Sequence, residues 1–129
     1  MLRSDKDLYE FADFRLDVSE RLLVRKGKRV PLSEKAFQIL CFLVRKNGHL
    51  VTKDELINEV WADAVVEENN LDKNVSLLRQ VLGERKGKDK FIETVRGRGY
   101  RFIADVRRVE NAEVENARRK AEKKRSAVT

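Results

Sequence analysis

Between Asn69 and Gln80 the sequence carries polar side chains at a spacing that could read the edges of base pairs. Wound as an α-helix, this segment places Asn69, Lys73, Ser76 and Gln80 along one stripe, with amide, hydroxyl and ammonium groups instead of ion-paired rows of Glu and Lys. In the major groove of DNA, amides pair bidentately with adenine and lysine suits guanine. The alternative interpretation is an ordinary solvated helix surface, so the rest of the chain must decide.

The other side of the same segment is apolar, which predicts that it packs against a core. Leu71, Val75, Leu78 and Leu82 follow the i, i+4, i+7, i+11 spacing of one helical stripe. We therefore predict a helix over residues 67–82, with its polar face turned outwards.

Two further helices are predicted before this one. Ser33 is a suitable N-cap for a helix that runs to about Lys46 and is apolar over more than half of its circumference. Thr52 and Glu55 form the Thr-x-x-Glu pattern of a capping box, so a second helix should begin there. The second and third helices would form a helix-turn-helix whose connection, the loop from Ala62 to Glu68, is longer than usual.

Short strands are predicted on both sides of the helices. Residues 9–30 contain four short runs with alternating apolar residues, broken by turn residues, which indicates a small antiparallel sheet. Residues 91–95 and 100–103 flank the sequence Arg-Gly-Arg-Gly at 96–99, which predicts a β-hairpin with arginines at its tip. Residues 85–101 contain seven basic side chains and two acidic ones, so positive charge is concentrated around this hairpin.

Taken together and in this order, several motifs closely resemble the OmpR/PhoB-type DNA-binding domain over about residues 9–106. The resemblance implies an α+β fold: a winged helix-turn-helix with a four-stranded antiparallel N-terminal sheet, three helices and a C-terminal β-hairpin wing. The motifs are Pro-Leu-Ser-Glu-Lys-Ala-Phe at 31–37, Val-Thr-Lys-Asp-Glu-Leu at 51–56, Val-Trp at 60–61, Leu-Arg-Gln-Val-Leu at 78–82 and Glu-Thr-Val-Arg-Gly-Arg-Gly-Tyr-Arg-Phe at 93–102.

The resemblance also implies which side chains meet DNA, with the third helix in the major groove and the wing in the minor groove. Many relatives carry several arginines along the third helix, where this chain has Asn74, Ser76 and Leu77, so we expect weaker or differently specified binding. The candidates for the major groove are Asn69, Asn70, Asp72, Lys73, Ser76, Leu77 and Gln80; those for the DNA backbone are Arg79 and Thr94; those for the minor groove are Arg96 and Arg98.

The division of the chain and its partners follow from the same resemblance. We predict a lead at residues 1–8, the winged-helix domain at 9–106 and a charged tail or linker at 107–129. The family usually binds direct repeats as head-to-tail pairs, and the loop from Ala62 to Glu68 is where RNA polymerase would be touched. The domain begins near Met1, which resembles the membrane-bound branch of the CadC and ToxR type, with a free-standing regulator as the alternative.

Composition limits the other classes of function. The 129 residues suit one domain, and the net charge of +7 favours a polyanionic partner. With one Cys and one His, Cys41 and His49, the chain offers no supported zinc site or nucleophilic dyad, so we expect no metal, no cofactor and no enzyme activity. No apolar stretch approaches the length of a membrane span, and we expect a cytoplasmic location without membrane contact.

These observations favour one function over another. We predict sequence-specific binding of double-stranded DNA for the regulation of transcription. The alternative is a winged-helix module that docks onto another protein and has no specific DNA target.

Overall fold

The computed structural model describes residues 7–62, 64–84 and 90–109, and it confirms the predicted α+β winged helix. The domain contains three helices, an N-terminal sheet and a smaller C-terminal sheet. In chain order the elements are β1 (Leu8–Phe11), β2 (Phe14–Asp17), β3 (Leu22–Arg25), β4 (Lys28–Arg29), α1 (Glu34–Arg45), β5 (Leu50–Thr52), α2 (Lys53–Val60), α3 (Glu68–Leu82), β6 (Ile92–Val95), β7 (Gly99–Phe102) and β8 (Arg107–Arg108).

The N-terminal sheet is antiparallel and has five strands, in the order β4-β3-β2-β1-β8, not the four that the sequence predicted. The fifth strand is added because Arg108 and Arg107 pair with Tyr9 and Glu10 of β1. Val109 follows and is buried, 5% exposed. The first two residues of the segment predicted as a charged tail, Arg107 and Arg108, are therefore part of the sheet. Residues 110–129 lie outside the described part of the chain.

The helix ends agree with the predicted signals to within about a residue, because the capping groups act locally. The Ser33 side chain accepts a hydrogen bond from the backbone N–H of Ala36 at 3.2 Å. Thr52 and Glu55 form both bonds of a capping box at the start of α2. Gly83 ends α3 in the left-handed conformation, with a φ of 84°.

An aromatic cluster joins the two sheets across the core. Phe11 lies 5.1 Å from Phe102 and 5.4 Å from Phe14 between ring centroids, and Phe91 packs edge-on against Phe14 at 5.8 Å. All four rings are buried. Since Phe91 and Phe102 belong to the segment of the C-terminal hairpin, the base of that hairpin is anchored in the core of the domain.

The C-terminal sheet has the order β5-β7-β6, so the short strand β5 before α2 pairs with the hairpin. Gly99 makes this pairing possible, because a Cβ at that position would lie 2.0 Å from the carbonyl oxygen of Val51. The backbone N–H of Lys53 also donates to the carbonyl of Arg98 at 3.2 Å. The hairpin is thereby fixed to the strand from which α2 begins.

Candidate nucleic-acid interface

Helix α3 presents the polar face that the sequence predicted. Its apolar stripe is buried, with Leu71, Val75 and Leu78 fully covered and Leu82 2% exposed. Burial of this stripe turns the opposite side of the helix to solvent. The exposed residues on α3 are Glu68, Asn69, Asn70, Lys73, Ser76, Leu77 and Gln80, which include six of the seven candidates for the major groove.

The C-terminal hairpin, β6 and β7, forms a wing with two arginines at its tip. The carbonyl of Val95 accepts a hydrogen bond from the N–H of Arg98 at 2.9 Å, and Gly97 supplies a φ of 73° inside this tight turn. The Arg96 and Arg98 side chains are exposed. Arg101 instead pairs with Glu93 on the adjacent strand at 3.0 Å.

Asp72, one of the residues predicted for the major groove, has bonding partners within the domain. Its carboxylate accepts a hydrogen bond from the hydroxyl of Tyr100 at 2.5 Å and lies 3.5 Å from the Lys53 ammonium. Burial, together with this bond, raises the pKa of Tyr100, so the hydroxyl keeps the proton that it donates. Asp72 thus lies at the junction between α3 and the wing, with 43% of its side chain exposed.

Lys53 extends this junction to the start of α3. Its ammonium lies 3.3 Å from the carboxylate of Glu68, and the hydrogen bond between them, the largest influence, raises the pKa of Lys53. The positive charge of Lys53 therefore faces two acidic groups of α3 and contributes little free charge to the polar face.

Arg79 and Thr94, both predicted to face the DNA backbone, are bonded to each other. The Arg79 Nη2 donates to the Thr94 hydroxyl at 2.7 Å and to the carbonyl of Ile92 at 2.9 Å. Its guanidinium carbon also lies 5.8 Å from the centre of the Tyr100 ring. Arg79 consequently links the outer half of α3 to β6, and it is turned away from the exposed stripe.

Glu84 is a positioning residue that the sequence analysis did not find. Its carboxylate, 3% exposed, accepts hydrogen bonds from the backbone N–H groups of Phe91 at 3.0 Å and Ile92 at 2.8 Å, and lies 3.8 Å from Arg79. Glu84 fixes the end of α3 to the first strand of the wing. A glutamate after a C-capping glycine carries no distinctive sequence signal, because its partners are seven and eight residues further on.

Part of the predicted surface lies outside the described residues. One such residue is Asp63, in the loop predicted to touch RNA polymerase. The others are residues 85–89, which carry three of the basic side chains around the predicted hairpin. In the described part of that loop, Val65 is fully exposed, and Glu67 and Glu68 are exposed as well.

The remaining chemistry of the described residues is limited. Cys41 is a buried free thiol, and burial raises its pKa to about 12, so it carries almost no thiolate near neutral pH. Over residues 7–62, 64–84 and 90–109, no group of three or more His, Cys, Asp or Glu side chains could hold a metal ion. None of the helices in that part of the chain has the length and apolar character needed to cross a membrane.

A helix-turn-helix with an outward polar face and an arginine-tipped wing defines a winged-helix regulatory domain. The chain belongs to the OmpR/PhoB-type family described as "Transcriptional regulatory protein, C terminal", which matches residues 27–102. This membership confirms the predicted resemblance and classes the chain among regulatory domains, not enzymes.

Curated bacterial relatives agree with this family. The chain is 38% identical over 98 residues to the transcriptional regulator HilA of Salmonella typhimurium, covering 76% of this chain and 17% of that protein. It is 30% identical over 100 residues to the phosphate regulon transcriptional regulatory protein PhoB of Klebsiella pneumoniae, covering 77% of this chain and 43% of the relative. The chain thus spans less than half the length of these relatives.

Solved structures share the fold. The DNA-binding domain of RstA from Klebsiella pneumoniae, in complex with its RstA box, superposes with a TM-score of 0.67 at 26% identity, covering 74% of this chain and 96% of the other. The DNA-binding domain of CadC from E. coli superposes with a TM-score of 0.70 at 24% identity, covering 80% of this chain and 97% of that domain, a likeness of fold alone.

Proposed function

We propose that this chain binds double-stranded DNA sequence-specifically to regulate transcription, with α3 in the major groove and the wing in the minor groove. The observation that carries the proposal is the juxtaposition of an exposed polar stripe on α3 with an exposed arginine pair, Arg96 and Arg98, on a wing attached to the same helix. The RstA domain, bound to its DNA box, supports this use of the fold.

The attachment of the wing to α3 matters because the two parts must meet neighbouring grooves of one duplex. The Asp72 to Tyr100 bond and the Arg79 to Thr94 bond cross the junction at different points along α3. A rigid junction reduces the conformational entropy that binding would otherwise cost. The geometry therefore favours a preorganised surface over two independently moving parts.

The division of labour on this surface follows from side-chain chemistry. Amides and the Lys73 ammonium on α3 can hydrogen-bond to base edges in the major groove. Arg96 and Arg98, on a narrow turn, suit the minor groove, where A·T-rich tracts are narrow and attract arginine. No arginine lies on the exposed stripe of α3 in the described residues, so the wing supplies much of the ionic attraction.

The finer details are extensions of this proposal. Binding as head-to-tail pairs on direct repeats follows the family pattern. The loop from Ala62 to Glu68 would contact RNA polymerase, and Val65 is the apolar side chain that such a partner would cover. The proposed location is the cytoplasm, and the membrane-bound branch of the family stays a prediction.

The experiment compares DNA binding by a double variant with that by a charge-matched control. A duplex is first enriched by the wild-type protein from a pool with randomised sequence, and affinities are then measured by gel shift. Lys73→Ala with Arg96→Ala should weaken binding to the enriched duplex at least about 10-fold, since each good base contact contributes roughly 1 to 3 kcal/mol of discrimination.

The control variant also loses two positive charges, but at positions outside α3 and the wing. Arg15→Ala with Lys46→Ala affects exposed residues of β2 and of the C-cap of α1, and should change the affinity by less than about 3-fold. If both double variants bind alike, or if no duplex is enriched, the DNA-binding proposal fails and the protein-docking alternative gains support.

A further inference from the structure

Leu77 is an apolar side chain standing in the middle of a polar surface. It is 52% exposed, and only two other large hydrophobic residues in the described part of the chain, Val65 and Ile103, are exposed. On α3 it lies one turn from Lys73 and three residues from Gln80, both exposed. Leu77 is therefore on the stripe that the proposed function turns towards the major groove.

Packing within the domain does not account for Leu77. The apolar contacts of α3 are made by its buried stripe, Leu71, Val75, Leu78 and Leu82, on the other side of the helix. About half of Leu77 is exposed to water. Removing an apolar side chain from water stabilises a complex by about 0.8 kcal/mol for each CH₂ group that is buried. An apolar ligand group that covers this side chain would recover part of that free energy.

Double-stranded DNA offers one such group in the major groove. Among the four ordinary base pairs, only those containing thymine present a methyl group there, at C5, and apolar side chains contact it. Lys73, Ser76 and Gln80 can form hydrogen bonds with base edges or phosphates, but they cannot distinguish a methyl group from a hydrogen atom. Leu77 is the exposed α3 residue with the chemistry to make that distinction.

We propose that Leu77 is a specificity-determining residue, which selects thymine at one position of the binding site through its C5-methyl group. The inference rests on the proposed function, because it requires α3 to lie in the major groove. Residues four apart on a helix are separated by about 6 Å along its axis, and base pairs are about 3.4 Å apart. Because α3 projects at most this distance onto the DNA axis, the selected thymine should lie within about two base pairs of the position read by Lys73.

The test removes only the methyl group. In the duplex enriched by the wild-type protein, each thymine is replaced singly by deoxyuridine, which keeps every hydrogen-bonding group of the base. At one position the wild-type affinity should fall about 4-fold, the effect of one buried methyl group. For Leu77→Ala the ratio of thymine to deoxyuridine affinities at that position should be close to one.

A matched variant separates loss of the methyl contact from general weakening. Lys73→Ala should bind the duplex less tightly, yet keep the approximately 4-fold preference for thymine over deoxyuridine. Because Leu77 is exposed, Leu77→Ala should keep the circular dichroism spectrum and melting temperature of the wild-type protein. This measurement checks that the fold of the variant is intact.

The possible results separate a failure of the inference about Leu77 from a failure of the proposed function. If the wild-type protein enriches a duplex but no thymine shows the effect, or if Leu77→Ala keeps it, the inference about Leu77 is overturned while the proposed function stands. If no duplex is enriched at all, the proposed function fails, and the inference fails with it.

Discussion

Asp72 and Arg79 each have a partner of opposite charge within the domain, and both also contact Tyr100. The Asp72 carboxylate accepts a hydrogen bond from the Tyr100 hydroxyl. The Arg79 guanidinium lies near the Tyr100 ring and donates a hydrogen bond to the carbonyl of Ile92 in β6. Both residues stand on the helix proposed to read DNA, yet they set the position of that helix relative to the wing. The resemblance predicted contact with DNA for both residues, which stays a prediction, and the structure shows that both also form bonds across the junction between α3 and the wing.

The bond between Asp72 and Tyr100 can be measured by a double-mutant cycle. Tyr100→Phe and Asp72→Ala each remove the bond, so their effects on the free energy of unfolding should not add. We expect a coupling energy of about 1 to 2 kcal/mol, since the acceptor is charged and the bond is half-buried. Urea denaturation of the four proteins gives this value, and strictly additive effects would mean that the bond contributes nothing.

At the scale of elements, the wing depends on two glycines for different reasons. Gly97 needs a positive φ at the turn, and a Cβ there would meet no atom within 4 Å. Gly99 has no positive φ, but a Cβ would collide with the backbone of β5 at 2.0 Å from the carbonyl oxygen of Val51. The first glycine shapes the wing, and the second attaches it to the domain.

Substitutions at these glycines should therefore differ in kind. Gly97→Ala should lower the free energy of unfolding by about 1 kcal/mol, because alanine is strained at positive φ. Gly99→Ala should cost about 3 kcal/mol and also weaken DNA binding, because β7 must separate from β5. Denaturation and gel shift measure both effects, and equally small losses would show that the close approach at Gly99 is not required.

Helices whose sequence signals lie within a few neighbouring residues could be predicted from the sequence. Strands that form only by pairing with residues far away in the chain could not. The capping box of Thr52 and Glu55 and the buried stripe of α3 arise from residues within one or two helical turns. The pairing of Tyr9 with Arg108 joins residues at opposite ends of the domain, and no local pattern marks it. The same limit applies to Glu84, whose role depends on where β6 begins.

The arrangement of the candidate site was only partly accessible for the same reason. Spacing along one helix identified the exposed stripe from Asn69 to Gln80, and the glycine pattern identified the turn of the wing. The inward turn of Arg79 depends on where β6 lies relative to α3, which is a tertiary fact. Sequence reasoning therefore found the exposed stripe of α3 and the turn of the wing, but it did not show which of the candidate residues are bonded within the domain.

At the scale of the whole molecule, the chain closes its N-terminal sheet with residues that follow the wing. The N–H of Val109 donates to the carbonyl of Leu8 at 2.8 Å, and Arg107 pairs with Glu10 at 2.6 Å. This fifth strand covers the edge of β1, which would otherwise present unpaired backbone groups. The two ends of the domain are thereby joined.

Two truncations test this closure. A variant that ends at Val109 should be about as stable as the full chain. For a variant that ends at Val106, the free energy of unfolding should fall by about 2 kcal/mol, mainly because the buried side chain of Val109 is lost. Denaturant midpoints at equal slopes provide the comparison. Equal stability of the two truncated proteins would show that β8 does not support the fold.

If α3 and the wing bind DNA together as one charged and polar surface, the affinity for DNA must depend on salt concentration. For the wild-type protein and an enriched duplex, the logarithm of the association constant should fall linearly with the logarithm of salt concentration, by about 0.9 per phosphate neutralised. Arg96→Ala should reduce that slope by about one. A flat salt dependence, or a slope unchanged in Arg96→Ala, would contradict the account.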